Sequence, residues 1–157
     1  MNFKSCFFLL ILGIQYQLYS QSKIPVWIDT DNMAGKLTED VDDALALLYL
    51  LNEEKVEIEG ISTTLYPKKV FRQVNRLMDM EFKEIPVYIG SQPGTELCET
   101  EAYHALKSKL ENQSLPHLAL GPLSNLSCFL QSNPLLADSI LSVTFCAGRR
   151  KGEKFSP

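Results

Sequence analysis

Four carboxylates stand where two short runs meet. Asp29 and Asp31 close the apolar run Val26-Trp27-Ile28, and Asp42 and Asp43 open the run Ala44-Leu45-Ala46-Leu47 after the ten-residue stretch 32–41. Carboxylates held a few ångströms apart in a poorly solvated cleft raise one another's pKa. A bound cation is the usual relief, and the 32–41 stretch is long enough to fold back and let both pairs converge. Taken singly, each pair has a plainer reading. Asp29 and Asp31 suit a strand-end turn, Asp42 suits a helix N-cap, and Asp43 is favoured by the helix dipole. The presence of both pairs favours a metal site.

The elements that position these acids follow from periodicity. Strands are expected at 24–28, 56–63, 86–89, 118–120 and 139–146. Helices are expected at 41–52, 68–82, 99–110 and around 125–131. The first helix carries Ala44, Leu47, Leu48 and Leu51 on one face, and the second carries Val70, Val74, Leu77 and Met78 behind Pro67. This alternation implies an α/β fold, a mainly parallel Rossmann-like sheet with helices on both faces. Ligands of such sheets sit at the carboxyl ends of the strands. That edge receives Asp29 and Asp31, then Ser62, Thr63 and Thr64, then Gly90 and Ser91, then Gly121, Pro122 and Ser124, and finally Ala147 to Arg149.

The chain of 157 residues, 45% hydrophobic and 22% charged, has the make-up of one globular domain. Its formal net charge of -4 leaves no basic footprint for nucleic acid. Residues 1–20, with Lys4 before the apolar stretch 6–14 and Leu18-Tyr19-Ser20 behind it, read as a secretory signal peptide too short to span a membrane. A secreted or periplasmic location follows, with the folded domain over 24–157. Beyond the signal stand Cys98, Cys128 and Cys146, an odd number without paired spacing, read as small buried hydrophobes. His104 on a helix and His117 ahead of a strand are read as structural or exposed. The basic end, 149–157, reads as a solvated loop.

The ordered segments resemble the inosine-uridine-preferring nucleoside hydrolases. Ile28-Asp29-Thr30-Asp31 with Val41-Asp42-Asp43-Ala44-Leu45-Ala46-Leu47 looks like that family's N-terminal signature. Gly60-Ile61-Ser62-Thr63-Thr64 and Ile85-Pro86-Val87-Tyr88-Ile89-Gly90 look like its second and third strands. Leu120-Gly121-Pro122-Leu123-Ser124-Asn125-Leu126 is similar to its Gly-Pro-Leu-Thr-Asn-Leu segment, and Phe145-Cys146-Ala147-Gly148-Arg149-Arg150 resembles a subgroup form of the segment after the fifth strand. The resemblance implies calcium-dependent hydrolysis of the N-glycosidic bond of a ribonucleoside to free base and ribose. It implies Asp31, Asp43 and the Ser124 carbonyl as Ca²⁺ ligands, and Asp42 as the general base that also contacts ribose. Asp29 and Asn125 take supporting or substrate-binding places. Calcium, a hard ion wanting six to eight oxygens, suits this donor set. The implied partner is a ribonucleoside, with no nucleic acid, no membrane after signal cleavage, and room for a homo-oligomer.

The chain departs from the family after Thr64. Tyr66-Pro67 stands where a Gly-Asn pair is usual, and the Asn of that pair holds ribose. The stretch 32–41 is longer than the usual turn, which is a subgroup mark. The resemblance covers about the N-terminal half of a family member, and the expectation is a truncated reading frame whose late aspartate ligand falls beyond Pro157. Two other classes are weighed. One is a non-catalytic calcium- or ribose-binding remnant. The other is a haloacid dehalogenase-type phosphatase with Asp29 as nucleophile, although that pattern leaves Asp42 and Asp43 unexplained and wants Thr or Val at Met33. An EF-hand is excluded by Met33 and by the lack of a closing Glu.

Overall fold

The computed structural model describes residues 22–31, 41–95 and 97–146. The expected signal peptide, the 32–41 stretch before Val41 and the basic end lie outside the described residues. Five strands form one parallel sheet in the order β3-β2-β1-β4-β5. They are β1 (Ile24–Thr30), β2 (Val56–Thr63), β3 (Val87–Ile89), β4 (Leu115–Ala119) and β5 (Ile140–Phe145). The helices between them are α1 (Asp42–Leu51), α2 (Pro67–Met80), α3 (Glu101–Leu110) and α4 (Ser124–Ser132), with a 3₁₀ turn at Pro134–Ser139.

The order places β1 in the centre, covered on both faces, so its last five residues are all buried. Val26 and Ile28 point to one face and join Leu47 and Leu51 of α1, Ile61 of β2, and Val70, Val74 and Met78 of α2. Trp27 points to the other face and joins Leu106 and Leu110 of α3, Leu115 of β4 and Phe129 of α4. Helices therefore cover both faces, as the alternating pattern implies. The first two connections run on one face and the last two on the other. The crossovers diverge between β1 and β4, which is where such sheets bind ligands.

One glycine makes room for the largest core side chain. A Cβ on Gly60 would stand 2.5 Å from the Trp27 ring, so β2 yields its side chain where the indole crosses. The indole stacks on Tyr88 with ring centres 5.7 Å apart. The β1–β2 register shifts at this point, between Val26 and Trp27.

Sequence and structure differ at several boundaries. The fourth strand begins at Leu115, three residues before the expected 118, because Pro116 reads as a strand breaker. It is accommodated where the β4–β5 register shifts between Leu115 and His117. The first helix is capped by Val41 with no side-chain bond, so Asp42 is its first residue and not its N-cap. The cysteines correct another expectation, since Cys98 and Cys128 form a disulfide and Cys146, the remaining cysteine among the described residues, is free and exposed. Spacing of 30 residues hid the pair; tertiary packing brings the segment before α3 onto α4. Among the described residues no helix is long and apolar enough to cross a membrane.

Candidate active site at the carboxyl edge of the sheet

The two acid pairs converge. Asp43, the second residue of α1, turns its carboxylate back to the end of β1. Its Oδ2 accepts the Thr30 hydroxyl at 2.7 Å and the Asp31 amide N–H at 3.1 Å. Asp43 is buried, Asp31 is half-buried, and Asp42 is exposed, with its Oδ1 accepting the Asp43 N–H at 2.9 Å. Asp31 registers the crowding. Its carboxyl is pushed from an ordinary 3.8 to about 7, first by burial and then by the Asp43 charge, with Asp42 adding to it. The amide N–H of Asp31 works against that rise without cancelling it.

Gly121 closes the other side of Asp31. A Cβ there would stand 2.6 Å from the Thr64 hydroxyl, 2.9 Å from the Asp31 nitrogen and 3.0 Å from its Cγ. Only a residue without a side chain lets the loop after β4 approach so near.

Asp29 has a different environment. It is fully buried, and its Oδ1 accepts the Ser62 hydroxyl and, at 3.4 Å, the Asn125 amide. Trp27 Nε1 donates to Ser62 at 2.8 Å, which fixes that hydroxyl from behind. Asn125 in turn accepts from both the N–H and the hydroxyl of Ser91, at 2.6 and 2.9 Å, and donates to the Thr63 carbonyl at 3.4 Å. Ser124, the first residue of α4, donates its hydroxyl to the Ser91 carbonyl at 3.3 Å. The structure thus joins Asp31 with Asp42 and Asp43, and separately joins Asp29 with Asn125. Ser124 stands beside the second group, at the same edge.

Burial corrects the phosphatase alternative. Asp29 has no exposed surface, and its oxygens face Ser62, Asn125 and His117, so a phosphate ester has no route to it as a nucleophile. His117 corrects a second reading. It lies inside β4, wholly buried, with Nε2 3.1 Å from Asp29 Oδ2. Its alternation with Leu115 and Ala119, both buried, was the available signal, obscured by Pro116. His104 is exposed on α3.

The chain after Thr64 is strained. Leu65 and Tyr66 both hold left-handed backbone, at φ 37° and 55°, and Tyr66 precedes Pro67, a position that disfavours helical geometry of either hand. The Thr64 N–H still bonds the Thr30 carbonyl at 2.9 Å, so the departure from the family pattern begins just beyond the shared strand end.

The residues present suit a hard cation. Asp31 and Asp43 offer oxygen only, and Asp31 is held where its charge is opposed. Among the described residues no group of three or more His, Cys, Asp or Glu is placed to hold a metal.

Fold and edge together define a doubly wound α/β protein with an acid-lined switch point. Comparison with known proteins makes this specific. The sequence profile of the inosine-uridine preferring nucleoside hydrolases matches residues 26–154. The chain belongs to this family. Among solved structures it is similar to a purine-preferring ribonucleoside hydrolase from Gardnerella vaginalis, with TM-score 0.64 and 20% identity over 80% of this chain and 49% of that one. An inosine-guanosine nucleoside hydrolase gives TM-score 0.58 and 20% identity over 74% and 45%. An inosine-uridine preferring nucleoside hydrolase from Bacillus anthracis gives 0.62 and 17% over 82% and 52%. No curated protein sequence matches. The chain spans about half the length of these solved relatives.

Proposed function

We propose that the chain carries the first half of a ribonucleoside hydrolase site, which splits the N-glycosidic bond with water to give free base and ribose. The observation that carries this reading is the Asp31 carboxyl, held half-buried against Asp43 and pushed to about 7, beside an exposed Asp42. Asp31, Asp43 and the Ser124 carbonyl would hold Ca²⁺. When bound, the ion supplies positive charge that grips vicinal hydroxyls and makes a water more acidic.

The chain's own residues do the rest. Asp42 is open to solvent at the mouth and takes the proton as the water oxygen bonds to the anomeric carbon. The bond from that carbon to the base nitrogen breaks, and the base leaves with its electron pair and takes up a proton from solvent. Positive charge develops on the sugar ring in the transition state, and the surrounding carboxylates stabilise it. Gly121 packs against Asp31 from the opposite side.

The Cys98–Cys128 disulfide and the apolar N-terminal stretch support a secreted or periplasmic setting, where such bonds persist. The test is reducing-sugar release from inosine and from uridine, with and without chelator, by the full chain and by Asp42→Asn. We expect release that the chelator abolishes and that Asp42→Asn lowers by about 10²-fold or more with calcium binding retained. Calcium binding without any turnover overturns the hydrolase reading in favour of a binding protein.

A further inference from the structure

His117 and Asp29 are buried ionisable side chains behind this edge that the proposed reaction does not use. His117 sits in the middle of β4, opposite Trp27 of β1. Its Nε2 lies 3.1 Å from Asp29 Oδ2, and both side chains have no exposure. The distance is that of a hydrogen bond, while the angle is not, so the contact is one of close approach. A proton on Nε2, carried by the neutral or the cationic ring, faces a carboxylate oxygen with no hydrogen-bond donor among the described residues. A buried carboxylate oxygen without a donor is costly, and the imidazole is what stands in front of it.

The contact has consequences at the site because Asp29 is a hub. Its other oxygen takes the Ser62 hydroxyl and the Asn125 amide. Asn125 is the neighbour of Ser124 and clamps Ser91. The main chain joins Asp29 to the same edge independently of its carboxylate. The Asp29 carbonyl accepts the Leu120 N–H at 2.8 Å, and Leu120 leads directly into Gly121, which lies against Asp31. A rotation of the Asp29 carboxylate therefore disturbs the Asn125 and Ser124 side of the acid cleft.

We infer that His117 is a positioning residue for the cation site: by standing against Asp29 Oδ2 it fixes the Asp29–Asn125 link, and through it the start of α4. The inference rests on the proposed calcium site, and the experiment separates the two. Calcium affinity is measured by titration calorimetry, and unfolding by thermal melting, on the full chain and on His117→Leu, His117→Gln and Leu110→Ala.

Leu110 is a buried apolar residue of the cluster on the same face of the sheet, so its variant reports core damage. We expect His117→Leu to lose about 10- to 100-fold in calcium affinity, the effect typical of removing an outer partner of a metal site. Gln carries an amide N–H at the reach of Nε2 and should restore affinity to within about threefold of the full chain, on the same scale. Leu110→Ala should melt lower with affinity unchanged. Equal affinity in the Leu and full-length chains overturns the inference while leaving the calcium site standing, as does a Gln variant no better than Leu. No calcium binding by the unaltered chain overturns both. Should His117→Leu fail to fold, His117→Met, of similar reach and without a donor, takes its place in the comparison.

Discussion

Two aspartates, two residues apart at the end of β1, have opposite surroundings. Asp29 is sealed in, with donors from Ser62 and Asn125 and the His117 ring beside it. Asp31 is half open and meets Asp43 and Asp42, both acids. The alternation of a strand sends both side chains to the same face. What separates them is depth. Asp29 lies level with β4 and its paired residue Ala119, whereas Asp31 has passed the end of the sheet, where α1 returns its own acids. A buried acid with donors on one oxygen and an imidazole against the other organises structure, whereas a crowded acid at the rim makes a place for a cation.

Substitutions can break this contrast in order of expected effect. Asp31→Asn removes a donor for the cation and should lower nucleoside hydrolysis by about 10³-fold, the several kcal/mol that a lost charge contact with a metal is worth. The same variant should melt higher than the parent in chelator, because the repulsion with Asp43 is gone. A lower melting temperature in chelator would refute the crowding.

Opening the Cys98–Cys128 bridge by a double serine change should cost about 3 kcal/mol in denaturant unfolding, in line with a closed loop of this size. It loosens the α4 side of the edge and leaves the Asp31–Asp43 contact in place, so calcium affinity should fall less than in Asp31→Asn.

Asp29→Asn should act in the reverse sense to Asp31→Asn, lowering stability by about 2 kcal/mol, since an amide nitrogen then faces donors. If both asparagine variants shift the melting temperature in one direction, the contrast fails.

The smallest effect concerns pH. The Asp31 carboxyl, raised from 3.8 to about 7 by burial and by Asp43 and Asp42, keeps its proton in the folded chain where the unfolded chain has lost it. Its contribution to stability is therefore full below about 4, declines as pH rises to about 7 and is level above that. Melting in chelator should follow this decline, and saturating calcium should flatten it by favouring the charged form.

Much of the edge was legible in the sequence. Strand periodicity and the two acid pairs placed Asp29, Asp31, Asp42 and Asp43 at the correct end of β1 and α1, and the Gly-Pro-Leu-Ser-Asn segment put Asn125 at the same edge. The division of labour within the acids was less legible, since four aspartates look alike until depth is known. His117 escaped because Pro116 concealed the first residues of β4. The disulfide escaped because nothing local relates Cys98 to Cys128.

The sequence by itself determined the alternation of strands and helices, hence the parallel sheet, its two covered faces and the edge that carries the acids. These depend on side-chain period and turn residues, which are local. Only the tertiary structure decided which acid is sealed and which is crowded, that Gly121 must lack a side chain, and that His117 stands behind Asp29. Each of those depends on the distance between segments far apart in the chain, and that distance is set by how β1, β4 and the two helix layers pack.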